Sequence, residues 1–330
     1  MKRSRRAPIV FLLGAVLVAI AATYWYAIYG DRSRPQRPQE VVIARGATLD
    51  DVAAQLVSDG VIGNALTFRI LAKWRGEEAA IRAGEYRFTP HATQSQVLRE
   101  LVTGGAQVAA WVTIPEGFTA AQIAQRLQAA GAGPSAELES TFARATVVVD
   151  GVRSKSLEGF LFPSTYLVPL GDSPGQIAAI FTSEFFKELP AGAASRARAL
   201  QVSVPQAVTV ASLVEREAKS ESDRPKIAAV IYNRLRLGMP LQVDATIEYA
   251  LRRHKAALSF ADLRIDSPYN SYLHAGLPPT PIANPGLPSL RAALAPAKSD
   301  DLYYVYCGNG RHVFAKTLAE HQANVARCLQ

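Results

Sequence analysis

The segment 205–237 constrains the fold of this chain most strongly, because its apolar pattern predicts two helices joined by a short polar break. The first of these helices carries two glutamates, Glu215 and Glu217, in a mostly apolar context. On a helix, residues two apart point about 200° away from each other. The two carboxylates therefore cannot form a facing pair, and their surroundings must be considered separately.

The surroundings of the two glutamates differ in the sequence. Glu215 has Lys219 four residues later, in the order that favours an ion pair, so we expect a solvated pair. Glu217 follows two apolar residues at i−3 and i−4 and has Glu221 four residues later. An apolar environment and a like charge both disfavour ionisation, so the pattern predicts a raised pKa for Glu217, as a general acid requires near neutral pH. The alternative is that both are ordinary surface glutamates.

Residues 8–29 carry no charge and would span roughly 33 Å as a helix, which is enough to cross the apolar core of a bilayer. Aromatic residues at 24–26 would lie at one membrane interface. The alternative is a cleaved signal peptide, since 19–21 has the small-x-small pattern of a cleavage site. The apolar run continues past that site, which favours an uncleaved single-pass anchor. Residues 1–7 would then form a cytoplasmic tail, with the bulk of the protein outside.

The charge distribution fits this interpretation. The formal net charge is +8, and the first 39 residues contribute +6 of it, from seven basic residues against Asp31. The remaining chain is nearly neutral and has no basic stripe interleaved with aromatic residues, so we expect no nucleic-acid partner.

The sequence predicts neither a metal site nor a cofactor. The histidines lack metal-ligand spacing, and no glycine-rich phosphate loop occurs. The two cysteines, Cys307 and Cys328, could form one disulfide in an oxidising compartment, which the sequence leaves open.

The chain beyond the membrane segment divides into a linker and two predicted domains. Residues 30–39 are polar and proline-containing, as in a mobile linker. Residues 40–107 predict a strand, two helices, a strand and a further helix, a plan that resembles the small LysM-like fold that grips glycan chains. Packing alone explains every apolar residue there. Residues 108–330 predict a larger mixed α+β domain, which gives the whole chain an α+β fold class.

Several polar residues of the larger domain are candidates for substrate binding. Glu158 lies among aromatic residues that could stack on sugars or form core. Gln242, Asp244 and Thr246 alternate along an extended segment and would form a substrate-lining row, or serve as turn and cap residues. The long loop at 267–296 is rich in proline and glycine, and its polar and aromatic residues favour an ordered, ligand-facing loop. These polar and aromatic residues of the loop are Tyr269, Asn270, Tyr272 and Asn284.

Taken together, several segments of the chain resemble the YceG-like family of endolytic murein transglycosylases. The resemblance covers roughly 40–328 and rests on the blocks VTIPEGFT, LEGFLFPSTY, ASLVEREA, DRPKIAAVIYNRLRLGMPLQVDATIEY, YNSY, GLPPTPIANPG and VFAKTLAEHQ. It implies a single-pass inner-membrane protein with a periplasmic LysM-like subdomain and an α+β catalytic domain. The implied substrate is the nascent glycan strand of peptidoglycan, and its cleavage would limit strand elongation. Peptidoglycan synthases are implied as possible partners.

The resemblance also implies roles for individual residues. The catalytic acid of the family is the second glutamate of a Val-Glu-(Lys or Arg)-Glu block, which here is Glu217. The family's Leu-Gln-x-Asp block contains Gln242 and Asp244, and its Tyr-Asn-(Thr or Ser)-Tyr block corresponds to 269–272. Family members often have Thr or Ser where this chain has Ala218.

The implied reaction is cleavage of the β-1,4 bond between N-acetylmuramic acid and N-acetylglucosamine by one carboxylate. Glu217 would protonate the leaving oxygen and then accept the proton of the C6 hydroxyl, leaving a 1,6-anhydro end without consuming water. One alternative is a hydrolase with two carboxylates, in which Asp244 or Glu158 is the base. The other is a non-catalytic glycan-binding scaffold of the wall-synthesis machinery.

Overall fold

The structure is a computed structural model that describes residues 6–25, 37–44, 46–105, 108–255, 257–308 and 310–328. It is a mixed α+β protein, which confirms the predicted fold class. The chain forms two compact units. The first comprises Met1–Ala110 with Leu167–Asp172, and the second comprises Trp111–Tyr166 with Ser173–Gln330.

The first unit is built on a two-stranded antiparallel sheet covered by helices. Its elements are α1 (Arg6–Trp25), β1 (Gln39–Ile43), α2 (Leu49–Ser58), α3 (Ala65–Arg75), a 3-10 turn (Glu78–Ala80), β2 (Gly84–Phe88) and α4 (Gln94–Thr103). Alternate residues of β2 point inward, so Tyr86 and Phe88 are fully buried, and Val41 of β1 lies opposite Tyr86. The strand, helix, helix, strand order expected from the sequence is present.

Helix ends in this unit follow local sequence signals. Thr48 caps α2 by accepting a hydrogen bond from the Asp51 N–H, and the Asp51 carboxylate accepts one from the Thr48 N–H in return. Asn64 caps α3, and Gly76 ends it in the left-handed conformation.

Within the described part of the chain, no helix is long and apolar enough to cross a membrane. The expected span at 8–29 and the expected linker at 30–39 both include residues of 26–36, which lie outside the described part. Residues 1–5 of the expected cytoplasmic tail also lie outside it.

The second unit is largely helical. Short two-stranded sheets complete its described part. Its elements are β3 (Ala109–Thr113), α5 (Ala120–Ala129), α6 (Ser135–Arg144), β4 (Val148–Val149), β5 (Val152–Arg153), β6 (Thr165–Pro169), α7 (Pro174–Glu188), α8 (Ala193–Ala199), α9 (Val204–Glu217), α10 (Arg224–Arg236), α11 (Asp244–Leu251), a 3-10 turn (Asp262–Arg264), α12 (Leu287–Leu294), β7 (Tyr303–Tyr306), β8 (His312–Ala315) and α13 (Leu318–Cys328).

Helix α9 is the centre of this unit, and α8, α10, α11 and α12 pack around it. Every residue at 207–214 is buried, including Thr209 and Ser212, so α9 is enclosed on all sides over two turns. Ser203 caps it in a capping box with Gln206, and Pro205 occupies its first turn. The two predicted helices of 205–237, with a polar break between them, are thereby confirmed as α9 and α10.

The carboxyl-terminal part of the unit is an antiparallel hairpin of β7 and β8 followed by α13. In its register Tyr304 lies opposite Phe314, and Tyr306 lies opposite His312. Cys307 and Cys328 form a disulfide that ties the end of β7 to the end of α13. The pairing that the sequence left open is therefore present.

Candidate active site

Glu217 is the last residue of α9, where the helix leaves the core. The residues one turn earlier, Leu213 and Val214, are fully buried, and Glu217 itself is half-buried. Its Oε2 accepts a hydrogen bond of 3.0 Å from the hydroxyl of Tyr304 on β7. Burial raises the pKa of Glu217 to about 7, and although the Tyr304 hydrogen bond opposes this rise, the carboxylate of Asp244 adds to it. At neutral pH this group can therefore both give and take a proton.

The like charge that acts on Glu217 is not the one predicted from helical spacing. Helix α9 ends at Glu217 because Ala218 adopts extended backbone angles, so Glu221 does not follow one helical turn later. The carboxylate that raises the pKa of Glu217 belongs to Asp244, at the start of α11. The predicted rise in pKa is present, but its predicted electrostatic source was wrong.

Glu215 is buried in an ion pair, so the predicted solvated pair with Lys219 was also wrong. Its Oε1 accepts a hydrogen bond of 3.0 Å from Arg224 at the start of α10, and its Oε2 accepts one of 3.0 Å from the Gly286 N–H at the start of α12. Its side chain is 6% exposed. Arg224 also donates to the hydroxyl of Ser289. Glu215 therefore joins three helices, and both of its oxygens are occupied.

Asp244 and Tyr272 lie together beside Glu217. The Tyr272 hydroxyl donates to Asp244 Oδ1 at 2.5 Å. Burial raises the pKa of Tyr272, as do its hydrogen bond to Asp244 and the negative charges of Asp244 and Glu217. Asp244 is exposed, and Gln242, two residues earlier, is also exposed in a left-handed conformation with φ of 51°. These three residues from two sequence blocks are available to a ligand.

Thr246 and Asn270, by contrast, are fully buried and serve the local structure. The Thr246 hydroxyl donates to the Val243 carbonyl at 2.7 Å, which stabilises the first turn of α11. Asn270 Nδ2 donates to the carbonyls of Leu263 and Ile265, and its Oδ1 accepts from the Tyr272 N–H. Asn270 thus fixes the loop that presents Tyr272. Substrate contact by Thr246 or Asn270 stays a prediction that their burial disfavours.

Glu158 is a buried carboxylate surrounded by donors. Its oxygens accept hydrogen bonds from the Ala120 N–H at the start of α5, from Asn284 Nδ2 at 2.9 Å and from the Tyr249 hydroxyl at 3.2 Å. Burial raises its pKa to about 7 against the opposing effect of these hydrogen bonds. Asn284 Oδ1 also accepts hydrogen bonds from the N–H groups of Gly159 and Leu161. These hydrogen bonds connect the segment around Glu158 to the long loop at 267–296.

A cavity of about 850 Å³ in the second unit does not coincide with the Glu217 site. Its walls include Glu158, Arg216 and Tyr249, whereas Glu217 is not among its described lining residues. Arg216 and Glu217 are adjacent on α9 but serve different surroundings, since Arg216 pairs with Glu248 at 3.1 Å. Both oxygens of Glu158 already accept hydrogen bonds from groups of the protein.

Two residues next to the site were not found by sequence reasoning. Tyr304 lies 87 residues after Glu217, and only the tertiary structure brings them together. Arg234 of α10 is buried; it donates to the carbonyls of Leu241 and Leu302 at 2.7 Å each and stacks on Tyr303. It therefore ties the segment before Asp244 to the strand that carries Tyr304. In the described part of the chain, no cluster of His, Cys, Asp and Glu suits a metal ion.

Replacing Asp244 with asparagine should lower the pKa of Glu217, because it removes the negative charge that disfavours ionisation of Glu217. The titration can be followed by NMR on protein with ¹³C-labelled glutamate carboxyl groups. Asp244→Glu, which keeps the charge, and Glu221→Gln, which removes an exposed charge from the turn after α9, should leave the pKa much closer to the wild-type value. An unchanged pKa in Asp244→Asn would contradict this electrostatic assignment.

Comparison with known proteins places this arrangement in context. Residues 41–327 match the sequence profile of the YceG-like family. The chain is 36% identical over 300 residues to the endolytic murein transglycosylase of Bacillus subtilis (strain 168), covering 84% of this chain and 81% of that protein. It is 32% identical over 318 residues to the endolytic murein transglycosylase of Streptococcus pneumoniae serotype 2 (strain D39), covering 87% of this chain and 57% of that protein.

A solved structure is similar as well. The 2.6 Å crystal structure of a YceG-like protein from Listeria monocytogenes matches with a TM-score of 0.59 and 33% sequence identity. The match covers 88% of this chain and 100% of the crystallised one.

Proposed function

Because the chain belongs to the YceG-like family, we propose that it is an endolytic lytic transglycosylase of peptidoglycan in which Glu217 is the single catalytic carboxylate. The observation that carries the residue assignment is the position of Glu217, a half-buried carboxyl group that accepts the Tyr304 hydrogen bond near the charge of Asp244, where burial raises its pKa to about 7. A group with such a pKa is present in both protonation states near neutral pH, as an acid that later acts as a base must be.

The proposed reaction proceeds through proton transfers at one side chain. Protonated Glu217 donates its proton to the glycosidic oxygen as the bond from C1 of N-acetylmuramic acid breaks. The Glu217 carboxylate then takes the proton of the C6 hydroxyl of the same sugar, and that oxygen bonds to C1. The product carries a 1,6-anhydro ring, Glu217 regains its proton, and neither water nor a cofactor is consumed.

The surrounding residues have distinct proposed parts. Tyr304 occupies Glu217 Oε2, which leaves Oε1 for proton transfer. Asp244, Tyr272 and the exposed Gln242 are proposed to bind sugar hydroxyls, since carboxylate, phenol and amide groups supply both donors and acceptors. Glu158, Thr246 and Asn270 are proposed to shape the site from behind, because their polar atoms are engaged by the protein.

The main rival is hydrolysis by two carboxylates, with Asp244 as the base that activates water. Mass spectrometry of the products separates the two reactions. We expect purified protein to release glycan fragments with anhydro ends, each one water lighter than the hydrolytic product. Reducing ends in place of anhydro ends would overturn the lyase assignment, and no cleavage at all would favour a glycan-binding scaffold.

We also propose that residues 8–29 anchor the protein in the inner membrane, that residues 40–330 lie in the periplasm, and that residues 40–107 form a LysM-like glycan-binding subdomain. The uncharged run supports the anchor. The Cys307–Cys328 disulfide supports an oxidising compartment. Full-length protein should sediment with membranes and resist alkaline extraction, while a chain lacking residues 1–39 should be released. Retention of the shortened chain would contradict the anchor.

A further inference from the structure

The hairpin of β7 and β8 carries Tyr304, whose hydroxyl group donates a hydrogen bond to Glu217, so the placement of this hairpin controls that contact. On its inner face, the ring of His312 lies between aromatic rings. Its centroid is 5.5 Å from that of Tyr304, 5.5 Å from that of Tyr306 and 6.4 Å from that of Phe314. The Tyr304 and His312 rings meet edge to face, at 86°. The orientation of Tyr304 therefore depends on where His312 is held.

His312 is held by Asp223. Asp223 Oδ2 accepts the backbone N–H of His312 at 2.9 Å and lies 3.0 Å from its Nδ1. Both side chains are only 4% exposed. Although burial opposes it, the hydrogen bonds from His312 and Ser220 hold the pKa of Asp223 below its ordinary value. An ionised carboxylate can only accept, so Nδ1 of His312 carries the proton.

Asp223 and Glu217 mark the two ends of one short turn. Glu217 is the last residue of α9, and Asp223 immediately precedes α10. The carbonyl of Asp223 accepts a hydrogen bond from the Ile227 N–H in the first turn of α10. The same turn therefore holds the carboxyl group of Glu217 at one end and the anchor of the hairpin at the other. The contacts form a closed ring from Glu217 through the turn to Asp223, then to His312, Tyr304 and back to Glu217.

We propose that Asp223 and His312 are positioning residues for the reaction, because they hold the Tyr304 hydroxyl on Oε2 of Glu217. The inference rests on the proposed role of Glu217. The hydrogen bond from Tyr304 favours the ionised form of Glu217, and it fixes which oxygen faces the substrate. Loss of the Asp223–His312 contact frees the His312 ring, against which Tyr304 packs, and so weakens both effects.

The groups that titrate or carry charge around this network come from several elements. They are Arg216 and Glu217 on α9, Lys219 and Asp223 in the turn, Arg234 on α10, Asp244 on α11, Tyr272 in the long loop, and Tyr304, Tyr306 and His312 in the hairpin. The test variants change only Asp223, His312 and Tyr304 among these groups.

The reference variant is Tyr304→Phe, which keeps the ring and removes the hydroxyl. Because the hydrogen bond lowers the pKa of Glu217, its loss should raise that pKa. Cleavage requires protonated Glu217, so the alkaline limb of kcat/KM should move to higher pH. Asp223→Asn should move the limb in the same direction and lower kcat roughly tenfold with little change in KM, as expected for a misplaced reacting group.

The double variant Asp223→Asn with Tyr304→Phe gives the sharpest test. If Asp223 acts through Tyr304, the double variant should shift the pKa of Glu217 no further than Tyr304→Phe alone. Asp262→Asn is the matched control, since Asp262 forms a comparable pair with Lys255 at 2.6 Å, remote from the hairpin in sequence. It should lower the melting temperature and leave the limb in place. If Asp223→Asn lowers the melting temperature but leaves the pKa of Glu217 unchanged, the pair is merely structural and the proposal is overturned.

Two provisions keep the test decisive. If Asp223→Asn does not fold, His312→Asn is used instead. Asparagine keeps an N–H donor for Asp223 but lacks the ring that packs against Tyr304. An unchanged pKa of Glu217 in His312→Asn overturns the proposal equally. The pKa of Glu217 is also measured by NMR in the absence of substrate. A wild-type protein that cleaves no strands would defeat the proposed function, whereas the shift of the Glu217 pKa would still decide the positioning role.

Discussion

Glu217→Gln should reduce the rate of strand cleavage by about 10²–10⁴-fold, the range typical for loss of a general acid–base group. Glutamine has the shape of glutamate, and its amide oxygen can still accept the Tyr304 hydrogen bond, so the fold should be retained. It cannot donate a proton to the leaving oxygen or take one from the C6 hydroxyl. Release of anhydro fragments from purified glycan strands is the measurement, with circular dichroism as the check on folding.

The matched control is Glu221→Gln, which changes an exposed glutamate in the turn after α9. Its rate should stay within about twofold of wild type, as most exposed substitutions have small effects. A Glu217→Gln protein that cleaves as fast as wild type would eliminate the assignment. Loss of activity in a folded Glu215→Gln protein, without loss in Glu217→Gln, would show that the other glutamate is the catalytic one.

Arg224→Met should destabilise the second unit by about 3–5 kcal/mol, because it leaves the carboxylate of Glu215 buried without its partner. Methionine fills much of the arginine volume, so the loss reports mainly on the unpaired charge. The free energy of unfolding can be measured in urea by the loss of helical circular dichroism, since this unit holds most of the helices. Activity is expected to fall only as far as the folded fraction does.

A surface pair in the same unit provides the control for this prediction. Arg198 and Asp150 lie 2.7 Å apart, but their side chains are 64% and 38% exposed. Arg198→Met should therefore cost about 0–1 kcal/mol. Adding Glu215→Leu to Arg224→Met should recover much of the lost stability, since the buried charge is then removed as well. Equal losses in Arg224→Met and Arg198→Met would contradict a buried pair.

The apolar pattern of 205–237 predicted two helices, which the structure contains as α9 and α10. The pairing of Ser203 with Gln206 and the proline at 205 mark the start of α9, and the same kind of cap at Thr119 marks the start of α5. These signals act over three or four residues, which is the distance that hydrogen bonds at a helix end span. The apolar run inside α9 is buried throughout residues 207–214 in the structure.

The same local rules failed at the carboxyl end of α9. Helical spacing paired Glu215 with Lys219 and Glu217 with Glu221, but the helix stops at Glu217, and Ala218 turns the chain away. Glu215 therefore meets Arg224 from the next helix, and Glu217 meets Asp244 and Tyr304. Helical spacing predicts neighbours only while the helix continues. It fails here at the polar break after α9, which the sequence already indicated.

By itself, the sequence determined that Glu217 lies on a helix next to apolar residues, and its YceG-like blocks indicated the family. Only the tertiary structure decided which groups surround that carboxyl group. A helical pattern reports neighbours within about four residues, whereas a pKa depends on every charge and donor within a few ångströms, however distant in the chain. Tyr304, 87 residues away, and Asp244, on another helix, could be found only by folding the chain around α9.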